Sequence, residues 1–413
     1  MHGKTRVVIV GAGIAGLSSY LWLEHLNITK LHDVTIYESR KQSHISQGSN
    51  DGPEFDASTI GACIGLAPNG LQVIKRLSRE LYDEVVSSGH PITSWKLSTA
   101  RGWVLADAVA TDSRGLNGLM IGRHALWESF RRRVPDKVVQ TRKVTSVQTS
   151  SVTSMTVLDF VDGSSIEADI VIGADGIWSA VRKSIFDNQY PPRYEGLVGV
   201  GGFIPASFLG NLQNGVTEVV FGRNGFFGLS RHLPSHSQSS KAACWWSTRS
   251  LKEPPPDWRS IDAKTLQNEL RERHAGWQNE AVQKIIANSE VDTVWPTFTT
   301  PLLPVWHRGS CILIGDAAHA LQPSSGQGVS QALEDSEVFA RLLIHHISRD
   351  EGDHGTGSFD LLCKRFSDVR MPRLKKIHDK ALQTSSVKQD MGVVAEFIMY
   401  VVIWAISKFH SPA

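Results

Sequence analysis

The sequence predicts an α/β (α+β) chain. A Rossmann-like nucleotide-binding domain of discontinuous segments is interrupted by a mixed or antiparallel sheet and followed by C-terminal helices. Three segments carry that prediction. Residues 7–16 read VVIVGAGIAG, residues 169–176 read DIVIGADG, and residues 311–319 read CILIGDAAH. Each is an apolar strand-like run that ends in a Gly/Asp turn and leads into a segment of helical character.

Residues 7–10 form a buried-strand run, and residues 14–26 a helix carrying Leu17, Leu21, Leu23 and Leu26. Residues 33–37 (DVTIY) supply a second strand, so the chain opens as a βαβ unit. Residues 41–59 are polar and rich in Gly, Ser and Asp, the pattern of a mobile loop. Pro68-Asn69-Gly70 then leads into an amphipathic helix. Short strands are expected over 92–118 and a helix over 124–133. Two hairpin-like strands follow at 143–148 and 155–160, with a turn at Asp162-Gly163. Residues 195–250 hold glycines and aromatics without helical period, which predicts antiparallel sheet. Pro254-Pro255-Pro256 ends it, and residues 262–288 are helical. A long helix is expected over 328–348, a surface loop over 351–357 and a basic helix over 358–385.

The chain has 413 residues, enough for two domains or one large α/β domain with insertions. Its net charge is +2 and it has no dense basic block, which argues against nucleic acid as a partner. Cys63, Cys244, Cys311 and Cys363 form no CxxC pair and no zinc or disulfide framework, so no metal is expected and a reducing, cytoplasmic setting is. Lys4 and Arg6 before an apolar run imitate a signal peptide, but that run holds the glycine fingerprint and cleavage would destroy it. Residues 397–406 are uncharged and apolar, bounded by Glu396 and Lys408, and too short to span a bilayer. Two readings fit them: a terminal helix docked on the body, or an interfacial membrane contact.

The chemistry of the turns suits a dinucleotide. Gly11 permits the tight turn, Gly13 lets backbone approach a pyrophosphate, and Gly16 lets helix pack on strand, with Ile14 and Ala15 between them. The helix start offers unpaired N–H groups to phosphate. Glu38 lies 22 positions after Gly16 and Arg40 follows it. A carboxylate there accepts from ribose hydroxyls and repels a 2′-phosphate, which suits FAD or NAD better than NADP. Asp316 is placed to accept from a ribityl hydroxyl. After Pro323, Gly326 and Gly328 on either side of Gln327 free backbone N–H groups ahead of a helix, where they would stabilise negative charge on a reduced flavin.

Taken together, these motifs resemble the FAD-dependent aromatic monooxygenases of the p-hydroxybenzoate hydroxylase and salicylate hydroxylase class, in its fungal secondary-metabolism form. The matching residues are Gly11-Ala12-Gly13-Ile14-Ala15-Gly16, Gly173-Ala174-Asp175-Gly176 with Ser179 and Arg182, and 315–320 through Pro323, Gly326, Gln327 and Gly328. Gly65 to Gly70 and Arg123 sit where that class has its flavin-side helix and its FAD-contacting arginine. The resemblance spans roughly residues 5–385 and is strong only at the motifs.

It implies an FAD-binding domain over 1–75, 101–182 and 295–350, a substrate domain over 76–100 and 183–294, and a C-terminal helical region over 351–413. It implies that Asp175 serves both FAD and a visiting NADPH or NADH, that Asp316 holds the riboflavin part, and that Pro323 and the following glycines lie beside the flavin ring. The implied cycle has NAD(P)H reduce FAD, O₂ form a flavin C4a-hydroperoxide, and one oxygen atom pass to an aromatic, indole or prenylated substrate by hydroxylation or epoxidation. No second GxGxxG is present, as this class leads one to expect. Arg231, His232 and Tyr194 are the catalytic candidates for steering a phenol. Phe221, Phe226, Phe227, Trp245 and Trp246 are either substrate-stacking or core residues. His319 reads as a structural hydrogen-bonder. An FAD-linked oxidase or dehydrogenase is the competing enzyme, and a non-catalytic flavin-fold binder the competing class. A monomer and a homodimer are both compatible with the sequence.

Overall fold

The computed structural model describes residues 5–40, 63–149, 155–254, 262–347, 356–383 and 391–409. The loop expected at 41–59, all but the first residue of the triproline run, and residues 351–355 of the expected surface loop lie outside these.

A six-stranded sheet centres on Arg6–Val10, whose Val7 and Ile9 are wholly buried. This strand pairs in parallel with Asp33–Glu38 on one side and Ile170–Gly173 on the other. Cys311–Leu313 continues the parallel set beyond Ile170–Gly173, and His307–Arg308 closes that edge antiparallel. Val139–Thr141 closes the other edge. Continuous apolar runs are what strands buried on both faces require. Helices Ile14–His25 and Gly328–Ile347 pack against each other beside this sheet. Small residues let them close: Ser19 Oγ reaches Ser336 Oγ at 3.1 Å, and Ser336 Oγ donates to Ala15 O at 3.1 Å. Helix Pro68–Leu77 joins them, with Gly70 so close to Ser330 that a Cβ would lie 2.6 Å from its Oγ.

The inserted part is a seven-stranded sheet built from Thr293–Thr299, Arg193–Ile204, Ala243–Ser250, Gly225–Arg231, Val216–Gly222, Ser94–Thr99 and Val104–Val109, in that spatial order. It is antiparallel except where Val216–Gly222 runs parallel to Ser94–Thr99. That exception joins segments 122 positions apart in the chain (216 − 94), as a parallel pair must. Helices Ala263–His274 and Glu280–Asn288 cover one face, burying Phe227, Leu229 and Trp245 beneath Leu270, Trp277 and Ile285. Phe227 and Trp245 stack at 5.3 Å within this core, whereas Phe221, Phe226 and Trp246 are only half-buried.

Packing moves two expected domain limits. Leu77, Leu81 and Val85 belong to the nucleotide-side core because the apolar faces of helices Pro68–Leu77 and Arg79–Ser88 turn toward it. Strand Val104–Val109 instead belongs to the seven-stranded sheet, as its pairing with Ser94–Thr99 dictates. The Asp162-Gly163 turn joins Thr156–Phe160 to a third strand, Ser165–Ala168, rather than to the strand before it.

Helix Val393–Phe409 lies against the edge strand Val104–Val109. Its buried Tyr400 donates to Phe221 O at 3.0 Å and to Glu396 Oε1 at 2.6 Å. Among the described residues, no helix is long and apolar enough to cross a membrane.

Candidate functional site

The three glycine-bearing turns leave the carboxyl ends of three neighbouring strands, Arg6–Val10, Ile170–Gly173 and Cys311–Leu313. Chain segments some 300 residues apart thereby share one rim, the end of a parallel sheet where ligands bind. Ala174 N–H donates to Val10 O at 2.8 Å and Ile314 N–H to Gly173 O at 3.0 Å, which fixes the turns side by side.

Glycine is required here for two different reasons. At Gly11, φ is +104° and a Cβ would lie 2.5 Å from Ala174 O; at Gly16 a Cβ would lie 1.9 Å from Gly11 O. Those two serve packing. A Cβ at Gly13, by contrast, would meet no protein atom within 4 Å. Gly13 also begins helix Ile14–His25 with no side chain capping it, so the N–H groups of that turn, Ile14 and Ala15 among them, face an open rim. This is where a pyrophosphate fits.

Glu38 ends its strand beside this turn. Its Oε2 accepts the Ala12 N–H at 2.8 Å, and its Oε1 accepts the Arg40 N–H at 3.0 Å and the Ser39 hydroxyl at 3.1 Å. Arg40 itself is exposed. Trp127 Nε1 donates to Ala12 O at 2.9 Å and so docks helix Arg123–Arg131 on the fingerprint, placing exposed Arg123 at that helix's first position.

Asp316 is exposed between buried neighbours, at the start of the short helix Asp316–His319. Gly315, at φ +57°, turns the chain there, and a Cβ on it would lie 3.0 Å from that of Ala15 and 3.2 Å from that of Ala332. Pro323 opens a 3-10 turn that ends at Gly326 in the left-handed region, and Gly328 begins the long helix. Cβ atoms at Gly65, Gly326 and Gly328 would each meet open space. Gln327 Oε1 accepts from Asn69 Nδ2 at 3.3 Å, and Ser330 Oγ accepts the Ala67 N–H at 3.1 Å. The 65–70 segment is thereby held against the 323–328 loop.

Asp175 has a structural task that its motif does not announce. Its carboxylate accepts the Ser179 hydroxyl at 2.5 Å and the Ala180 and Val181 N–H groups at 2.7 and 3.2 Å, capping helix Ala180–Ile185. Burial raises its pKa against the lowering effect of those bonds. Arg182 then crosses to the third turn, donating to Ala317 O at 2.8 Å.

The support beneath Asp316 was not visible in the sequence. Buried Asp335 accepts the Gly315 N–H at 2.9 Å, meets His319 Nε2 at 2.5 Å and pairs with Arg370 Nε at 2.7 Å. Burial alone would raise the Asp335 pKa; His319 and Arg370 outweigh it and hold the carboxyl below its ordinary range. Asp335 and Arg370 lie 35 positions apart, a spacing that no local pattern reveals.

The three catalytic candidates do not converge. Tyr194 sits near the start of Arg193–Ile204, where Leu197 pairs with Ser250; Ile204, at the other end, pairs with Ala243, which pairs with Arg231. Ten residues of strand separate Tyr194 from that end, about 33 Å. One small molecule cannot touch both. Tyr194 instead leans on Phe298 at 5.3 Å. Arg231 precedes His232 in the chain and belongs to strand Gly225–Arg231. His232 faces the nucleotide-side elements: a Cβ on Gly122, the residue before Arg123, would lie 3.9 Å from its Nδ1. Phe203 lies 4.8 Å from its ring. His232 Nε2 bonds Lys241 O at 2.7 Å, while buried Nδ1 has no partner. Burial lowers its pKa, so the ring is neutral and Nδ1 presents a lone pair.

The FAD binding domain family model matches residues 124–376, more than half of the chain. The chain belongs to the FAD binding domain family. It is an FAD-dependent monooxygenase, as its relatives are. It is 28% identical to 3-amino-4-hydroxybenzoate 2-monooxygenase PtnB3 of Streptomyces platensis, over 92% of this chain and 87% of that protein. It is 27% identical to a salicylate hydroxylase of Pseudomonas putida over 92% and 86%, and 26% identical to the FAD-dependent monooxygenase andE of Emericella variicolor over 91% and 78%. Among solved structures, a salicylate hydroxylase substrate complex superposes with a TM-score of 0.75 at 22% identity, covering 98% of this chain and 94% of that one. Klebsiella pneumoniae HpxO complexed with FAD and uric acid gives 0.73 at 22% identity over 98% and 94%. The open glycines leave space, the helix start leaves N–H donors, and Glu38 and exposed Asp316 offer carboxylate acceptors along the same rim, a set that would fit an FAD.

Proposed function

We propose that this flavoprotein inserts one oxygen atom from O₂ into an electron-rich aromatic, indole or prenylated small molecule, by hydroxylation or epoxidation, in natural-product biosynthesis. The observation that carries the reading is the likeness to FAD-dependent monooxygenases over more than nine-tenths of the chain, joined to the open glycine turns on one rim of the parallel sheet. The fungal relative andE supports the biosynthetic setting.

Bound FAD supplies electron transfer from NAD(P)H and the activation of O₂. The chain supplies the rest. Gly13 and the helix start would hold the pyrophosphate, Glu38 the adenosine ribose, and Asp316 the ribityl chain. Arg123 and Asp175 would flank the cradle, and the turn from Pro323 through Gly326 and Gln327 would lie beside the ring, with the Gly328 N–H at the start of the long helix as its backbone donor. Neutral His232 would accept the hydrogen of a substrate hydroxyl at Nδ1 once a shift of its neighbours uncovers that atom, raising electron density on the aromatic ring. Its Nε2–H, donated to Lys241 O, keeps the tautomer in place. Arg231 Nε, at the His232 end of the sheet, and Tyr194 Oη, at the opposite end, are also buried without a hydrogen-bond partner and stay candidates for holding substrate. NAD(P)H visits without a dinucleotide fold of its own. The unbridged Cys63, Cys244, Cys311 and Cys363 support a cytoplasmic setting, and the balanced charge supports a role without nucleic acid.

Purified yellow protein tests this directly. NADPH and NADH oxidation is followed across a panel of phenols, indoles and prenylated aromatics under ¹⁸O₂. Substrate-stimulated oxidation with one labelled atom in the product is the expected result. Bleaching of the flavin by substrate alone, with no label in the product, would make the protein an oxidase or dehydrogenase instead.

A further inference from the structure

Helix Val393–Phe409 has two apolar faces, and only one is used. The inner face carries Glu396, Met399, Tyr400 and Ile403, spaced 0, 3, 4 and 7, and docks on Leu105 and Phe221. Ser407 Oγ extends that contact to Leu105 O at 3.2 Å. The outer face carries Val394, Ile398, Val401 and Val402, of which Val394 is 74% exposed and Val401 62%. Trp404 and Ile406 add to it, each about half exposed. Trp103, just before the neighbouring edge strand, and Val109, at that strand's end, continue the surface at 56% and 71% exposure.

We propose that this composite surface, helix plus edge strand, seats the protein on an anionic lipid surface. Three observations choose lipid over a second copy of the chain. The first is area. A helix of 17 residues is about 25 Å long and offers a face about 10 Å wide, so helix and strand together present about 350 Å². A stable protein interface needs about 800 Å² per partner, whereas partial insertion among headgroups has no such threshold. The second is residue type. Trp103 and Trp404 are half-exposed indoles beside the aliphatic patch, the side chain that favours the water–hydrocarbon boundary. The third is charge. Arg101 lies over the Phe397 ring at 5.1 Å, and Arg223 adjoins the helix start, where its carbonyl accepts the Met391 N–H at 2.8 Å. Both cations are exposed and outnumber Asp107, the single carboxylate in strand Val104–Val109. Cations at the rim of an apolar patch complement phosphatidylserine headgroups. The helix is too short and too firmly docked to span, so the protein lies on the membrane rather than through it.

The FAD-loaded full chain is mixed with phosphatidylcholine vesicles, with and without 30 mol% phosphatidylserine (about a third of the lipid, a composition chosen for strong surface charge), and sedimented. Binding to the anionic vesicles is expected to exceed binding to neutral ones by about fivefold and to weaken with salt. The double variant Ile398→Glu/Trp404→Glu changes exposed positions only. It is expected to keep its flavin and lose binding about tenfold. Arg101→Glu should erase most of the preference for anionic vesicles. Equal sedimentation of parent and double variant, or no sedimentation with either composition, overturns the proposal. So does a concentration-dependent dimer, seen by analytical ultracentrifugation, that the double variant abolishes.

Discussion

The Asp335 carboxylate reaches across 20 positions of chain to accept the peptide N–H of Gly315 at 2.9 Å. The same oxygen meets His319 Nε2, so one buried side chain pins both ends of the Asp316 turn. Asp335→Asn removes a charge that His319 and Arg370 both face. Breaking a buried ion pair from one side costs about 3–5 kcal/mol. Thermal unfolding of Asp335→Asn is expected at a clearly lower temperature, with substoichiometric FAD in the purified protein. An unchanged Tm together with full flavin content would refute this role.

Gly13 and Gly16 predict opposite failures. Gly16→Ala places a Cβ 1.9 Å from the Gly11 carbonyl and should prevent the native strand–helix contact from forming, so folded yield collapses. Gly13→Ala meets no protein atom and should fold with near-parental Tm when stripped of flavin. Its methyl group would stand where the pyrophosphate comes, so FAD affinity should fall at least tenfold. Flavin absorbance per mole of protein and the Tm of both apoproteins separate the two.

His232→Phe should retain FAD, because the residue follows strand Gly225–Arg231 of the inserted sheet and its ring packs on Phe203. Losing a proton acceptor at Nδ1 should lower kcat/KM for a phenolic substrate about 100-fold. Peroxide formed per NADPH consumed should rise. Parental coupling in this variant would remove His232 from the reaction.

His274 sets a pH limit on the inserted domain. It is wholly buried between Phe227 and Trp277, and desolvation lowers its pKa to about 4. The unfolded chain takes up this proton near pH 6.5, well before the folded one does. Stability is therefore full above about 6.5 and is lost as the pH falls toward 4, by about 3 kcal/mol in total. Tm measured from pH 7.5 to 4 should drop across that window, and His274→Phe should flatten the slope. A parental slope in the variant would point to other groups.

The nucleotide-side strands were legible because strands buried on both faces must be continuous apolar runs, and because turns at Gly11 and Gly315 demand glycine. What escaped was non-local. Parallel pairing of Ser94–Thr99 with Val216–Gly222 leaves no mark within either segment. Nor does the Asp335–Arg370 pair, since each residue alone reads as an ordinary helix-surface charge. Tyr194 and His232 both belong to a sheet-rich stretch, and only register tells that they stand at opposite ends of it. The tail offered two readings because a helix apolar all round has no preferred side; Glu396 and Tyr400 show the side it uses.

The order in which the six-stranded sheet is threaded has a consequence during biosynthesis. Arg6–Val10 leaves the ribosome first and gains Ile170–Gly173 only after some 160 further residues, and Cys311–Leu313 joins the far side of Ile170–Gly173 later still. The turn bearing Asp316 cannot be clamped until Asp335, and then Arg370, have emerged. Prematurely terminated fragments therefore remain colourless, and pigment appears only in chains translated almost to completion.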